Sequence, residues 1–260
     1  MLDYRTEYSG SRVVLTGAAG VMGTWIAEAF AAAGADLLLT DGRPGPLDAL
    51  ADRLGARRVV ADLTTAEGLA ALNAAMREAW PAPDVVVNNA GIYPRSPLLD
   101  TGPDDVRRVL DVNVTALFEV TRQAVRAMID AGVAGSVVNI SSGAAVRGAS
   151  TGSVYAASKA AVESLTKSLA LELAGHRIRV NAVQPGFAPG SEVSELSDSH
   201  ISRMLARIPL GRASGPGDAP AAVLWLCSGD ASFLTGTTIA VDGGRTAGEV
   251  APGVAARKEG

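Results

Sequence analysis

The sequence predicts an α/β fold: one doubly wound domain with a seven-stranded parallel sheet and helices on both faces. Three observations carry this. Short runs of Val, Ile and Leu alternate with helical patterns along the whole chain. The runs show no polar alternation, so both faces of each strand are expected to be covered, as they are in parallel sheets. No linker or internal repeat divides the 260 residues.

Each element follows in order. SRVVLTG is a strand ending in glycine, followed by a helix from about Val21 to Ala33 that Gly34 caps. ADLLLTD is the second strand, followed by a helix through Leu47–Leu54, and RRVVADL is the third. A helix through Leu69–Trp80 leads to DVVVNNAG. The long pattern DDVRRVLDVNVTALFEVTRQAVRAMI is helical, and GSVVNISS is the fifth strand. SVYAASKAAVESLTKSLALEL, residues 153–173, lacks Gly and Pro and reads as a helix leading to IRVNAVQPG. A late helix near Ala219–Leu226 precedes TTIAVDGG. Ligands of such sheets bind beyond the carboxyl ends of the strands, so TGAAG, TD, ADL, NNAG, NISS and QPG should share one rim. The domain is expected over residues 12–245, with residues 1–11 as an N-terminal extension and 246–260 as a C-terminal tail.

Composition excludes several classes. A net charge of -4, with basic residues dispersed, argues against nucleic acid as a partner. One cysteine excludes an internal disulfide, and two histidines are too few for most metal or Ser-His chemistry, so no metal is expected. Cys227 lies in an apolar run and reads as a structural thiol. No signal peptide is recognisable and no apolar run approaches the ~20 residues of a membrane span, so a cytoplasmic protein without a membrane partner is expected.

The first strand joins its helix through TGAAGVMG. Gly17, Gly20 and Gly23 would let backbone approach a ligand, and the helix N-terminus offers N–H groups to a pyrophosphate, with Val21 and Met22 in its first turn. The G-x-G-x-x-G spacing is absent. The second strand ends in Asp41, placed to bind ribose hydroxyls; the competing reading is a turn residue before Gly42. An acid there repels the 2′-phosphate of NADP and favours NAD, with Arg43 as counterweight. Asp62, followed by Leu63, is read either as a partner of the adenine amino group or as a helix cap before Thr64 and Thr65.

Ser142 stands thirteen residues before Tyr155, and Lys159 follows Tyr155 by four, one turn along the same helix face. A Tyr-x-x-x-Lys alone is an ordinary surface pattern. Together with the Thr16–Gly23 turn, Asn88-Asn89-Ala90-Gly91, Asn113, Ser142 and Pro185-Gly186, it resembles the short-chain dehydrogenase/reductase family from about Arg12 to Gly244. The resemblance implies a Rossmann-type fold and a nicotinamide cofactor, NAD in preference to NADP. It also implies an oxidoreductase that interconverts a secondary alcohol and a ketone.

In that scheme Tyr155 is the general acid/base and Ser142 fixes the substrate oxygen. Lys159 lowers the pKa of Tyr155 and donates to the nicotinamide ribose. A unit charge at about 4 Å in an effective dielectric near 20 is worth on the order of 4 kcal/mol, a ceiling of roughly three pKa units. Asn113 is assigned a water that relays protons to the lysine. Asn89, Ala90 and Gly91 pass beneath the cofactor, while Pro185, Gly186 and Ala188 lie at the nicotinamide end and Phe187 on the substrate side.

The chain departs from the family turn T-G-x-x-x-G-x-G at Val21, which replaces the middle glycine. It also has Gly190 where the family often has a threonine meeting the nicotinamide carboxamide, with Ser191 as a substitute. The segment of about residues 190–212 corresponds to the family's lid over the substrate. Arg95 and Arg147 border the pocket and could pair with a carboxylate or phosphate of the substrate. The resemblance also implies a homotetramer built from the Asn113 and Tyr155 helices on one axis and the last strand, with Leu224 and Trp225, on another. Two other functions stay open: an NADPH-dependent 3-oxoacyl reductase, and a redox-silent dinucleotide-binding sensor or scaffold.

Overall fold

The structure is a computed structural model that describes residue 4 and residues 7–148, 150–190 and 198–249. Seven strands form one sheet: β1 Arg12–Thr16, β2 Asp36–Asp41, β3 Arg57–Val60, β4 Val85–Asn88, β5 Ser136–Ile140, β6 Arg179–Pro185 and β7 Thr238–Val241. All neighbours pair in parallel, in the order β3-β2-β1-β4-β5-β6-β7. The helices are α1 Val21–Ala32, α2 Pro44–Leu54, α3 Ala66–Ala79, α4 Pro103–Leu110, α5 Ala116–Asp130, α6 Ser153–Leu173, α7 Asp198–Leu205 and α8 Ala219–Cys227. The sheet and its helical layers match the expected fold, and α6 spans the residues read as helical.

Side chains of a strand alternate between faces, and the apolar runs feed two cores at once. Val13, Leu15, Leu37, Leu39, Val85 and Val87 pack with Ile26, Phe30, Leu47 and Val223 on one side. Val14, Leu38, Val86 and Val137 pack with Leu72, Val120, Met128 and Leu169 on the other. Tyr8, ahead of β1, is buried against Phe30 with ring centroids 5.1 Å apart. Its hydroxyl donates to the Leu224 carbonyl at 2.5 Å. Leu224 is buried in this chain's own core, so it is not available for the contact between copies expected of it.

Polar pairings run through the interior. The Asn88 amide donates to Thr121 Oγ1 (2.8 Å) and Asn139 Oδ1 (2.9 Å), and the Asn139 amide donates to Thr166 Oγ1 (2.9 Å). This row ties β4 and β5 to α5 and α6.

The stretch expected as one long helix contains a π-helical turn, Asp111–Thr115, between α4 and α5. Such a turn widens the helix locally and re-aims a side chain. The side chain it presents is Asn113.

Candidate active site

The strand order reverses between β1 and β4, which is where a doubly wound sheet opens a crevice for ligand. Thr16 closes the base of that crevice. Its hydroxyl accepts from the N–H groups of Asn89 and Ala90, both at 3.0 Å. The Asn89 amide donates back to the carbonyls of Thr16 (3.1 Å) and Gly17 (2.8 Å). Gly17 has φ +61°, and a Cβ there would stand 2.7 Å from Ala90 Cα, so both conformation and contact require glycine.

Gly20 caps α1 with extended backbone, and nothing lies within 3.5 Å of the place its Cβ would occupy. Val21 and Met22 are half-buried in the first turn, where N–H groups have no intrahelical acceptor. An open face beside unpaired N–H groups fits a pyrophosphate. The residues present therefore fit a dinucleotide.

Asp41 is nearly buried and already engaged. It accepts from Ala19 N at 3.0 Å, inside the glycine turn, and from Arg43 N (3.1 Å) and Nε (3.0 Å). The acid expected to bind ribose also holds the turn, and the counterweight arginine is folded onto it. Asp62 is exposed and accepts from Thr64 N (2.9 Å) and Oγ1 (2.7 Å), which holds its carboxyl below the usual range. This is a local turn and not a helix cap: α3 is capped by Thr65, whose hydroxyl accepts from Gly68 N at 3.0 Å, and the adjacent Leu63 is buried.

On the other side of the crevice the chemistry-bearing side chains converge. Ser142 follows β5, and its Oγ accepts from Ala144 N at 3.2 Å and lies near enough to the Tyr155 hydroxyl to favour its ionised form. Tyr155, on the first turn of α6, is half-buried, and the ring of Tyr93 stands edge-on to it at 6.1 Å. Thr151, just before α6, holds φ +64°, a costly conformation for a β-branched residue, and its carbonyl accepts from Ser96 N at 2.8 Å. These contacts fix the entry to α6 against the loop that carries Tyr93.

Lys159 is buried, and its Nζ donates to the Ile140 carbonyl at 2.8 Å while lying 5.9 Å from the Tyr155 ring centroid. Burial pushes its pKa down from 10.5 to about 8. The Tyr155 pKa is raised, chiefly by burial; the Ser142 hydrogen bond opposes the rise and Tyr93 adds to it. The expectation paired the lysine with the charge of bound oxidised nicotinamide; in the chain alone Lys159 is not among the causes of the Tyr155 shift. In the chain by itself the desolvation of each group dominates, and the opposing contribution comes from the serine.

Asn113 is fully buried. Its Oδ1 accepts from Ile92 N (2.8 Å), and its Nδ2 donates to the Ile92 carbonyl (2.9 Å) and to Ser158 Oγ (3.0 Å). Ser158 in turn donates to the Tyr155 carbonyl at 2.7 Å. Asn113 thus ties the NNAG loop to α6. A Cβ on Gly91 would lie 3.3 Å from Asn113 Oδ1 and 3.4 Å from Lys159 Nζ, so the missing side chain leaves the space between them open.

Pro185 ends β6 and Gly186, Phe187 and Ala188 follow it, all four half-buried. Gly186 and Phe187 line a cavity of about 320 Å³ with Ile208, Leu210, Ser214 and Asp242. Gly190 has φ +94° and is exposed, while Ser191 lies outside the described residues, as does most of the first third of the expected lid. Arg95 and Arg147 are both exposed, and Arg147 Nη1 hydrogen-bonds the Arg245 carbonyl. Sequence reading missed Tyr93 and Ser158; the aromatic directly after NNAG-Ile was a usable signal for the first, and nothing marked the second. Burial pushes the Cys227 thiol up to about 12, as befits a structural role. Among the described residues no group of three His, Cys, Asp or Glu side chains could hold a metal ion, and no helix is long and apolar enough to cross a membrane.

A parallel sheet with a glycine-rich crevice at its switch point, and a serine, tyrosine and lysine on the adjoining strand end and helix, defines a dinucleotide-dependent oxidoreductase. The chain belongs to the short-chain dehydrogenase/reductase family, whose members bind NAD(P). Residues 17–246 match a family model described as enoyl-(acyl carrier protein) reductase. The chain is 40% identical to a galactitol 2-dehydrogenase (L-tagatose-forming) of Cereibacter sphaeroides, over 94% of this chain and 99% of that one. It is 37% identical to a trans-4-hydroxycyclohexanecarboxylate dehydrogenase of Sinomonas cyclohexanicum, over 90% and 92%. Among solved structures, a short-chain type dehydrogenase/reductase from Mycobacterium marinum superposes with a TM-score of 0.86 at 33% identity, covering 93% of this chain and 97% of that one. A protein of Beutenbergia cavernae, assigned as an NAD(P)-dependent gluconate 5-dehydrogenase and holding NADP at low occupancy, gives 0.85 at 37% identity, covering 92% and 98%.

Proposed function

We propose that the protein interconverts a secondary alcohol and a ketone with NAD(H), Tyr155 serving as general acid/base. The observation that carries the proposal is the convergence of three side chains: the buried ammonium of Lys159 lies 5.9 Å from the Tyr155 ring centroid, and the Ser142 hydroxyl bears on the same phenol. Relatives named as dehydrogenases of galactitol and of trans-4-hydroxycyclohexanecarboxylate support the alcohol chemistry.

A nicotinamide bound in the crevice would supply the hydride acceptor for alcohol oxidation and the hydride donor for ketone reduction. Ser142 holds the substrate oxygen by hydrogen bond, and Tyr155 takes the hydroxyl proton during oxidation and gives it back during reduction. Lys159 supplies the nearby positive charge that a phenolate requires. Gly17, Gly20, Val21 and Met22 would receive the pyrophosphate. Asn89, Ala90 and Gly91 would line the floor, Asp41 would meet the ribose, Asp62 and Leu63 the adenine, and Pro185, Gly186 and Ala188 the nicotinamide. The buried Asp41 carboxylate favours NAD over the additional phosphate of NADP.

A homotetramer belongs to this reading. Phe118 on α5 and Leu171 on α6 are large apolar side chains left exposed, at 39% and 82%, on the helices that would pair. Light scattering on the purified protein checks it.

The deciding experiment is a steady-state survey of secondary alcohols with NAD and with NADP. Faster oxidation with NAD supports the proposal. Dominant turnover with the phosphorylated cofactor points instead to a 3-oxoacyl reductase, and firm NAD binding without any turnover points to a sensor or scaffold.

A further inference from the structure

Arginines from three separate segments, Arg95, Arg147 and Arg207, stand near enough to Arg245 for their charges to act on it. Arg95 is two residues beyond Tyr93, whose ring meets that of Tyr155. Arg147 lies in the loop between Ser142 and α6 and bonds the Arg245 carbonyl. Arg207 follows α7, and Ile208 and Leu210 beside it pack on Gly243. Arg245 follows β7, where the next residue, Thr246, lies so close to the loop after Ser142 that a Cβ on Gly143 would be 2.7 Å from its Cγ2.

Arg245 is the informative member. It is half-buried, and of its five N–H donors the only one with an acceptor among the described residues meets the sulfur of Met204, at 3.6 Å. The positive charges of Arg147, Arg207 and Arg95 all bear on it, and with burial they lower its pKa. Among the described residues, Asp242 is the only carboxylate that acts on it. That carboxylate is occupied by Gly244 N (2.9 Å), Thr246 N (2.8 Å) and Thr246 Oγ1 (2.6 Å). None of the four arginines forms an ion pair among the described residues. A half-buried guanidinium with like charges around it, and with its other four donors lacking an acceptor among the described residues, favours an anion in the site.

Resting on the alcohol–ketone reading above, we infer that the substrate carries an oxyanion, a carboxylate or phosphate, bound by Arg245 and Arg147 with Arg95 and Arg207 at the rim. The arginine fork matches the geometry of such a group and donates two parallel hydrogen bonds to it. Because Arg147 and Ser142 share one loop, anchoring the anion also sets the distance from the charged end of the substrate to the reacting carbinol.

Matched pairs test this: 3-hydroxybutyrate against its methyl ester, and glycerol 3-phosphate against glycerol, which also separate carboxylate from phosphate. The native enzyme should prefer an anionic member by about tenfold or more in kcat/KM. In R245Q that ratio should collapse, mainly through KM, and R245K should restore part of it. A native ratio near one for both pairs, or an unaltered ratio in the R147Q/R245Q double variant, overturns the inference. A binding readout independent of turnover accompanies it: saturation transfer to benzoate in the presence of NAD, with benzamide as the neutral control. Transfer to benzoate that is lost in R147Q/R245Q upholds the anion site even where no alcohol is oxidised, in which case the proposed reaction alone fails. Equal transfer in both proteins, or none in the native one, overturns it.

Discussion

Lys159 Nζ stands 5.9 Å from the centre of the Tyr155 ring, yet it gives its hydrogen bond to the Ile140 carbonyl at 2.8 Å. The two groups are near enough to act on each other and are not yet partnered. With the lysine brought down to about 8 and the phenol held up, rising pH strips the ammonium before the phenol ionises. Bound cofactor has to invert that order for base catalysis. The pH profile of alcohol oxidation by the complete enzyme should therefore show a group titrating below the ordinary tyrosine range. A profile that rises only near 10 or above argues against Tyr155 as the base.

Tyr155→Phe should lower kcat by about 10²- to 10⁴-fold, the range that general acid/base groups contribute. Affinity for NAD should change little, because the ring and its contact with Tyr93 remain. Single-turnover kinetics alongside calorimetric NAD binding separate the two effects. Full turnover by this variant would sink the mechanism.

Lys159→Met should disable the enzyme and stabilise the fold. The drop from 10.5 to about 8 caused by burial corresponds to roughly 3 kcal/mol lost by keeping the ammonium inside. The neutral form suits the folded state, so between about pH 8 and the ordinary lysine range the unfolded chain holds a proton that the folded chain has released. Stability from this group rises with pH across that window, and the full cost applies below it. Denaturant titrations at neutral pH and near pH 10 check both points: the variant should gain most at neutral pH, and its advantage should shrink as pH rises.

Asp41→Ala should shift cofactor preference towards NADP and also loosen the glycine turn, since the carboxylate accepts from Ala19 N. The Arg43–Asp41 ion pair is lost in the same variant, so the local charge no longer opposes a 2′-phosphate. Ratios of kcat/KM for the two cofactors, with thermal melts, measure these effects. An unchanged ratio would show that the acid serves the turn alone.

Asn113→Leu should cost about 3 kcal/mol, because the Ile92 N–H and carbonyl are left without their partner in the protein interior. Turnover should fall as well, since the tie between the NNAG loop and α6 is cut. Wild-type stability in this variant would mean that the π turn does not depend on these bonds.

The sheet, its order of elements and the rim of strand ends were legible because the apolar runs are unambiguous and the punctuating glycines fall between them. Ser142, Tyr155 and Lys159 stand out by type and spacing and Asn113 through the family resemblance, and the structure brings them within one neighbourhood. What spacing does not carry is desolvation, which raises the Tyr155 pKa in the chain without cofactor. The π turn was hidden too, although an asparagine inside an otherwise apolar helical pattern was its trace. Arg207 and Arg245 belong to the substrate side only through tertiary packing, and no local pattern distinguishes them from solvated arginines.

The row of amides and hydroxyls from Thr121 through Asn88 and Asn139 to Thr166 bears on how the chain finds its fold. The apolar strands β4 and β5 offer little to discriminate one alignment from the next, since valine pairs with valine in several. Sliding β5 by a single residue would turn Asn139 to the opposite layer and strand its partners in a dry interior. Misaligned pairings are thus rejected by polar complementarity, and the chain arrives at one arrangement of the catalytic rim before any ligand is present.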